Sequence, residues 1–338
     1  MPSLLQKLKK KIEEEDNFLV LSHIDPDGDA VGTALALFWA LNGLGKKAQV
    51  VLADPVPLAF SFLPGASLIT RDFLLADFDY IITVDCGDLK QTGFAARLKE
   101  AIKRKKYLIN LDHHQKNDLS KLSRLNYMDS AAPATAVLLV KLLKELEISL
   151  SPELATCLFC GLFTDTGGFR HANTTTEVLE LTADLLNRGA DARQVVSNLA
   201  KQRSFVQLKL WGRVLNRLVL KDGLAYSFVL QNDLADFGLK AQELNGLVNL
   251  LNTVPKARLA VLFVEQKDGL IKVSLRTEDL TFDVSALAAR FGGGGHRRAA
   301  GFTIKGKIVK NIDGLKIIIS FGPNRGQNIF NLLEQMFF

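Results

Sequence analysis

The chain has 338 residues, 48% hydrophobic and 23% charged, which suits a globular protein of two domains rather than a disordered or fibrous one. Its longest apolar stretches, such as residues 154–163, fall short of the roughly 20 residues a spanning helix needs, and the opening MPSLLQKLKKKIEEED reads as a charged amphipathic helix rather than a signal peptide. A cytoplasmic protein without a membrane partner is expected. The formal net charge of +6 suits an anionic substrate but is too diffuse to indicate duplex binding, and three cysteines make no disulfide framework.

In chain order, residues 18–22 (FLVLS), 47–52 (KAQVVL), 80–85 (YIITVD) and 107–112 (YLINLD) read as buried strands. An apolar helix over residues 30–41, closed by Gly43 and Gly45, separates the first two, and ADPVPLAFSFLPGAS is a proline-punctuated loop region. This alternation predicts an α/β fold with a doubly wound, mainly parallel sheet covered by helices. The segment LATCLFCGLF is apolar all round, so Cys157 and Cys160 are expected in a buried helix; no second pair exists to complete a tetrahedral zinc site. Thr174-x-x-Glu177 is a capping signal for the next helix, which Gly189 closes.

A long amphipathic stretch follows, with Phe205, Leu208, Trp211, Leu215 and Leu218 at helical spacing. It is expected to be a linker helix with its aromatics in the core. The division is residues 1–190 for a catalytic domain, 191–222 for a helical linker, and 223–338 for a smaller α/β domain with a mixed sheet. In that last part, strands at 257–266 and 270–277 flank Asp268-Gly269, a strong hairpin signal. Residues 283–291 are helical and run into GGGGHRRAAG (292–301), which continues into a strand FTIKG, and 328–338 reads as a terminal helix.

Four clusters carry the chemistry: S-H-I-D-P-D-G-D after the first strand, V-D-C-G-D at the end of the third, L-D-H-H at the end of the fourth, and F-T-D-T-G-G-F-R after the apolar helix. All five histidines (His23, His113, His114, His171, His296) lie within or beside acids, glycines or arginines. Any one Asp-rich turn alone reads as well as a helix N-cap or an Asx-turn. Together the clusters point to one crevice, because open α/β sheets bind ligands at the carboxyl ends of their strands. Carboxylates from Asp27, Asp29, Asp85 and Asp165 crowded beside imidazoles would repel one another unless cations were bound. Mixed His and carboxylate donors suit Mn²⁺, Co²⁺ or Fe²⁺, whereas Mg²⁺ prefers oxygen alone. Two such ions roughly 3.5–4 Å apart would activate a water and stabilise an in-line phosphoryl displacement.

These residues resemble the DHH phosphoesterase superfamily: H-x-x-x-D-x-D, a strand-end Asp, D-H-H, and a final Asp before T-G-G. GGGGHRRAAG resembles the signature of the associated DHHA1 domain, and the likeness is greatest to stand-alone bacterial nanoRNases and 3′-phosphoadenosine 5′-phosphate phosphatases. The resemblance implies two divalent ions, one on His23 and Asp27, the other on Asp29, His113 and Asp165, with Asp85 bridging. It implies His114 near the scissile phosphate as proton donor, Asp112 orienting a neighbouring histidine, and Asp25 and Asp88 supporting their loops. Arg276, the backbone at Gly293, Gly294 and Gly295, and His296, Arg297, Arg298 and Arg170 are the expected substrate contacts. His171 stands where many relatives carry an aromatic or aliphatic residue, and a partly buried structural histidine is expected there.

The implied reaction is Mn²⁺-dependent hydrolysis of short RNA or DNA oligonucleotides or of a phosphorylated nucleotide. Closure between the domains is expected to limit substrate length. Alternatives are a cyclic or linear dinucleotide phosphodiesterase (c-di-AMP, pApA or pGpG) and a RecJ-like single-strand exonuclease. A family II pyrophosphatase lacks the glycine loop. A non-enzymatic nucleotide sensor or RNA-binding module with a relic site would have lost ligands. A homodimer is compatible with the sequence, and no residue proves it.

Overall fold

The computed structural model describes residues 2–114, 118–200, 203–311 and 314–319, with side chains as far as 309. It divides into two compact units, Met1–Gln202 and Arg203–Phe338.

The first unit begins with helix α1 (Leu4–Glu14), which has a capping box closed by Ser3 and Gln6. There follow strand β1 (Phe18–Leu21), helix α2 (Gly28–Gly43), strands β2 (Ala48–Val51) and β3 (Tyr80–Val84), helix α3 (Ala95–Lys103), and strands β4 (Tyr107–Asp112) and β5 (Leu125–Met128). Helices α4 (Thr135–Glu145), α5 (Pro152–Asp165), α6 (Thr176–Asn187) and α7 (Ala192–Ala200) complete it. The strands run parallel in the order β2-β1-β3-β4-β5. Their sequences are apolar on both faces because helices cover both: Phe18 and Val20 point into one buried cluster, Leu19 and Leu21 into the other. The chain leaves β1 for β2 on one side and resumes with β3 on the other, so the topological switch point lies between β1 and β3.

β5 carries no sequence signal of its own. LNYM is half-buried along its length at the sheet edge, so it lacks the apolar run that marks the central strands. The α6 cap is shifted by one residue: the Thr175 side chain, not that of Thr174, accepts from the Val178 N–H. Cys157 and Cys160 are buried and unpaired inside α5, as the apolar pattern requires, and burial pushes both thiols up.

The second unit runs through α8 (Phe205–Leu215), β6 (Val219–Lys221), β7 (Leu224–Val229), α9 (Gln231–Asp236), α10 (Leu247–Leu251), β8 (Leu259–Glu265), β9 (Leu270–Arg276), α11 (Val284–Ala289), β10 (Gly294–His296), β11 (Ala299–Asn311) and β12 (Gly314–Ile319). Its mixed sheet has the order β10-β11-β9-β8-β7-β6, with β12 paired to β11. Among the described residues of this sheet only β7 and β8 pair in parallel. The Asp268-Gly269 turn has both residues at positive φ and joins the antiparallel β8 and β9.

The stretch expected to link the domains is itself divided between the units. Val195 of α7 packs into the first core, whereas Leu210, Trp211 and Val214 of α8 pack into the second. The buried face of α8 is also rotated from the expected one. Phe205 and Leu208 are exposed, and Gln207 is buried in their place because its amide and the Trp211 indole N–H both donate to the Glu243 carbonyl. The expected helix at 328–338 lies outside the described residues.

Candidate metal centre

Each strand-end cluster delivers its side chains where the parallel sheet ends. β1 gives way to His23 and the turn to α2, whose N-cap is Asp27: its Oδ1 accepts from the Asp29 and Ala30 N–H groups at 3.0 and 3.1 Å. Capping and ligation are not rivals, since a carboxylate has two oxygens and several lone pairs and the cap uses one oxygen. β3 ends in Asp85, a non-glycine residue at φ +50 and 2% exposed. A residue held in that sparsely populated region marks a position fixed by its surroundings. The end of β4 carries Asp112, His113 and His114, and the last residue of α5 is Asp165.

Three groups of side chains bring metal-ligating atoms within 4.8 Å of one another: His23, Asp27 and Asp85; Asp29, His113 and Asp165; and Asp85, His113 and His114. His23 Nε2 lies 3.7 Å from Asp85 Oδ2 and 3.9 Å from Asp27 Oδ1. His113 Nε2 lies 3.5 Å from Asp85 Oδ1 and 3.3 Å from Asp165 Oδ2. In both histidines Nδ1 faces a backbone carbonyl, Ile24 at 2.7 Å and Ala132 at 3.2 Å, which turns Nε2 toward the carboxylates. The His114 Nδ1 contacts Asp112 Oδ1 at 2.7 Å, and Asp112 is fully buried.

The supporting shell includes residues with no signal in the sequence. At the N-terminus of α4, Thr135 and Ala136 donate their N–H groups to the two oxygens of Asp29, at 2.5 and 3.1 Å. The Thr135 hydroxyl donates to Asp85 Oδ1 at 2.9 Å, and Thr33 to Asp29 Oδ1 at 2.8 Å. Gly161 on α5 leaves room for Asp29: a Cβ there would lie 2.5 Å from its Oδ1. The contacts of Thr135, Ala136 and Gly161 with Asp29 span more than a hundred residues of sequence, so only the folded chain reveals them.

The electrostatics fit a cation. Burial, and then the charge of Asp85, push the Asp29 carboxyl well above its ordinary range. Burial, with Asp29, Asp85 and Asp27 nearby, takes Asp165 up to about 10. Burial lowers the affinity of His23 for a proton, but Asp85 and the Ile24 carbonyl outweigh it, and the imidazole is pushed up to about 9. Asp85 is held below the usual carboxylate range: burial opposes this, but His23, His113 and His114 overcome it. The hydrogen bond to Asp112 raises His114. Without cations the cluster retains protons in their place; mixed imidazole and carboxylate donors in this array fit divalent metals.

The remaining expected residues fall elsewhere. Asp25, at φ +49, donates its N–H to the Asp54 carboxylate, and Asp88 Oδ1 accepts from the Lys90 N–H; neither belongs to a ligand group. Arg170 is exposed and donates to the Gly167 carbonyl. His171 is exposed rather than partly buried, with its ring against Gly167, which is at φ +60 and has no Cβ to obstruct it.

In the second unit the glycine run is not an open loop. Gly294–His296 pairs with β11, and Arg297 and Arg298 form the two-residue turn. A Cβ at Gly293 would lie 2.2 Å from the Gly301 carbonyl, and one at Gly295 2.5 Å from that of Ala299, so the hairpin's own packing requires both glycines. Gly294 has nothing within 4 Å of its Cβ position. Arg276 pairs in register with Ala299, which in turn pairs with His296, so the three share one face. The Arg276 Nε donates to Asn249 Oδ1 at 2.8 Å.

Residues 17–162 match the DHH family N-terminal domain, and residues 221–335 match the DHHA1 domain. A bifunctional oligoribonuclease and PAP phosphatase of Thermus thermophilus is 32% identical over 86% of this chain and 85% of its own. One of the same description from Bacillus subtilis is 25% identical over 88% of this chain and 92% of its own. The crystal structure of an exopolyphosphatase-related protein from Bacteroides fragilis superposes with a TM-score of 0.78 at 25% identity, covering 88% of this chain and 90% of that one. The chain belongs to the DHH–DHHA1 phosphoesterases, hydrolases of phosphate esters.

Proposed function

We propose that this phosphoesterase hydrolyses short oligonucleotides and 3′-phosphoadenosine 5′-phosphate with two Mn²⁺ ions. The observation that carries it is Asp85, with one oxygen turned to His23 and the other to His113. His23 and Asp27 would hold one ion and Asp29, His113 and Asp165 the other, with Asp85 between them. Bound there, the ions supply an activated water and charge neutralisation at phosphorus.

The chain's own residues do the rest. Thr135 fixes Asp85 and Asp29 so that their carboxylates cannot swing away. Asp112 engages His114 at Nδ1, which leaves Nε2 as the nitrogen that hands a proton to the departing ester oxygen. Arg276 and the Arg297-Arg298 turn present positive charge to a substrate phosphate. The substrates named for the relatives in Thermus thermophilus and Bacillus subtilis support the substrate class. A homodimer and a cytoplasmic location belong to the same reading; the described residues contain no helix long and apolar enough to cross a membrane.

The test is Mn²⁺-dependent product release from 3′-phosphoadenosine 5′-phosphate, RNA dinucleotides, linear and cyclic dinucleotides and a 20-mer, with Asp85→Ala as control. Activity on the first two that vanishes in the variant is expected. A preference for the 20-mer or for the cyclic dinucleotide would overturn the substrate assignment.

A further inference from the structure

Three loops meet beside His23, one from the carboxyl end of each of three neighbouring strands in the first unit. Residues 53–54 follow β2, residues 23–25 follow β1, and residues 91–93 lie in the connection that leaves β3. The backbone of the middle loop is fixed by the other two. The Ile24 N–H donates to the Gln91 carbonyl at 2.6 Å, and the Asp25 N–H donates to Asp54 Oδ2 at 2.8 Å.

The second of these bonds reaches the metal centre. The Asp25 N–H and the Ile24 carbonyl are the two ends of one planar peptide unit. That carbonyl is the group His23 Nδ1 faces at 2.7 Å. The Asp54 carboxylate therefore holds one end of a peptide whose other end holds the imidazole. Asp25 sits at φ +49, a sparsely populated conformation that persists where neighbouring contacts fix it. The flanking loops are themselves tied down. Arg71 donates to the Ala53 carbonyl at 3.0 Å, and the fully buried Thr92 donates its hydroxyl to the Leu89 carbonyl at 2.7 Å. Gly93, at φ +73, lets the three loops close: a Cβ there would lie 2.3 Å from the Ala53 Cβ and 3.1 Å from Ile24 Cγ2.

We infer that Asp54 is a positioning residue for the ion on His23, Asp27 and Asp85, acting through the Ile24–Asp25 peptide without touching the metal. Metal-binding histidines commonly place their second nitrogen on a carboxylate, which fixes the ring and its tautomer. Here a peptide unit stands between carboxylate and imidazole. A carboxylate on the N–H polarises the peptide and makes its carbonyl the stronger acceptor, so Nδ1 carries the proton and Nε2 keeps its lone pair toward Asp85. Asp54 belongs to none of the ligand groups. The role rests on the two-ion centre proposed above and adds a residue to it that lies 31 positions from His23 in sequence.

The test compares Asp54→Ala and Asp54→Asn with a charge control, Asp79→Ala, whose exposed carboxylate pairs with Lys106 just before β3. Calorimetric Mn²⁺ titration of the full chain should show one of two ions bound about 10- to 100-fold more weakly in Asp54→Ala, with the other unchanged. Asp54→Asn keeps an acceptor for the Asp25 N–H and should bind both ions nearly as wild type does, as should Asp79→Ala. In the metal-free protein, amide hydrogen exchange followed by NMR should quicken at Ile24 and Asp25 in Asp54→Ala. The Thr135 and Ala136 amides, which hold Asp29, should keep their wild-type rates. Equal weakening of both ions, Asp54→Asn or Asp79→Ala as weak as Asp54→Ala, or unchanged exchange at Asp25 would overturn the inference. A wild-type chain that takes up fewer than two ions, with exchange at Ile24 and Asp25 still quickened in Asp54→Ala, would instead overturn the two-ion reading and leave the peptide relay standing.

Discussion

Replacing Gly161 by Ala tests whether the site depends on a close helix approach. The new Cβ would lie 2.5 Å from Asp29 Oδ1 and 3.2 Å from the Ala136 methyl. The carboxylate must retreat by about 1 Å to reach ordinary van der Waals separation. Retreat stretches its hydrogen bonds from Thr33, Thr135 and Ala136, so no soft direction is open. Overpacking of this kind costs about 1–3 kcal/mol, or a fall in Tm of roughly 2–10 °C for a unit of this size. A reactive group displaced by about 1 Å loses on the order of a hundredfold in rate. Calorimetric Mn²⁺ titration, thermal melting and turnover of a dinucleotide measure the three effects. The matched control is Gly43→Ala, also on α2–α5 scaffold residues but with nothing within 4 Å of the Cβ; there alanine should stabilise by about 0.5–1 kcal/mol. Wild-type metal affinity and rate in Gly161→Ala, or an equal loss in Gly43→Ala, would refute the reasoning.

Four further outcomes follow from the same geometry. His114→Ala and Asp112→Asn should each lower kcat by about 10²- to 10⁴-fold while metal content stays at the wild-type level, measured by elemental analysis beside steady-state rates. Saturated protein should hold two divalent ions per chain, and Asp85→Ala should hold fewer. The metal-free protein should lose stability as pH rises from 6 to 9. Asp165 and Asp29 keep protons in the folded state that the unfolded chain releases above about 4, and the proton on His23, raised to about 9, is lost over the same range. Melting in EDTA at both pH values checks this, and a flat or rising Tm would contradict it. Gly295→Ala, at φ +142 and crowded by the Ala299 carbonyl, should melt the second unit at lower temperature, whereas Gly294→Ala should leave melting unchanged and, where ligand approaches that backbone, raise KM.

Much of this site was legible in the sequence because strand ends advertise themselves. An apolar run of strand length followed by His or Asp places that side chain at the carboxyl edge of a parallel sheet, which is how His23, Asp85 and His113 are recognisable before any coordinates. Asp165 was harder, since it ends a helix, and only the pattern of its neighbours drew it in. Thr135, Thr33 and Gly161 were illegible for a different reason: a threonine in a helix and a glycine in an apolar segment have ordinary local explanations, and the contacts of Thr135 and Gly161 with Asp29 are long-range, while that of Thr33 is one turn away on α2. The α8 face was misjudged because several phases of the helix bury apolar residues about equally well. The choice was made by a polar contact, the Glu243 carbonyl receiving Gln207 and Trp211. The glycine run invited an anion-binding loop, yet two of its glycines are explained by backbone crowding within a hairpin.

Charge balance explains why the site is built as it is. Asp27, Asp29, Asp85 and Asp165 can together carry four negative charges in a largely buried space. The N-terminus of α4, directed at Asp29 through Thr135 and Ala136, offers only about half a unit of positive charge. His23 can hold a proton, its affinity raised by Asp85 and the Ile24 carbonyl against the effect of burial, but a protonated imidazole gives up the lone pair that a ligand needs. Protonating Asp29 and Asp165 relieves the repulsion only by removing the carboxylate charge that binding requires. Two divalent ions bound as proposed would balance the four carboxylates, let His23 act as a neutral ligand, and leave the α4 N-terminus to orient Asp29 rather than to neutralise the cluster. A single ion would leave half the negative charge in place, so the second ion meets a site still strongly favouring it.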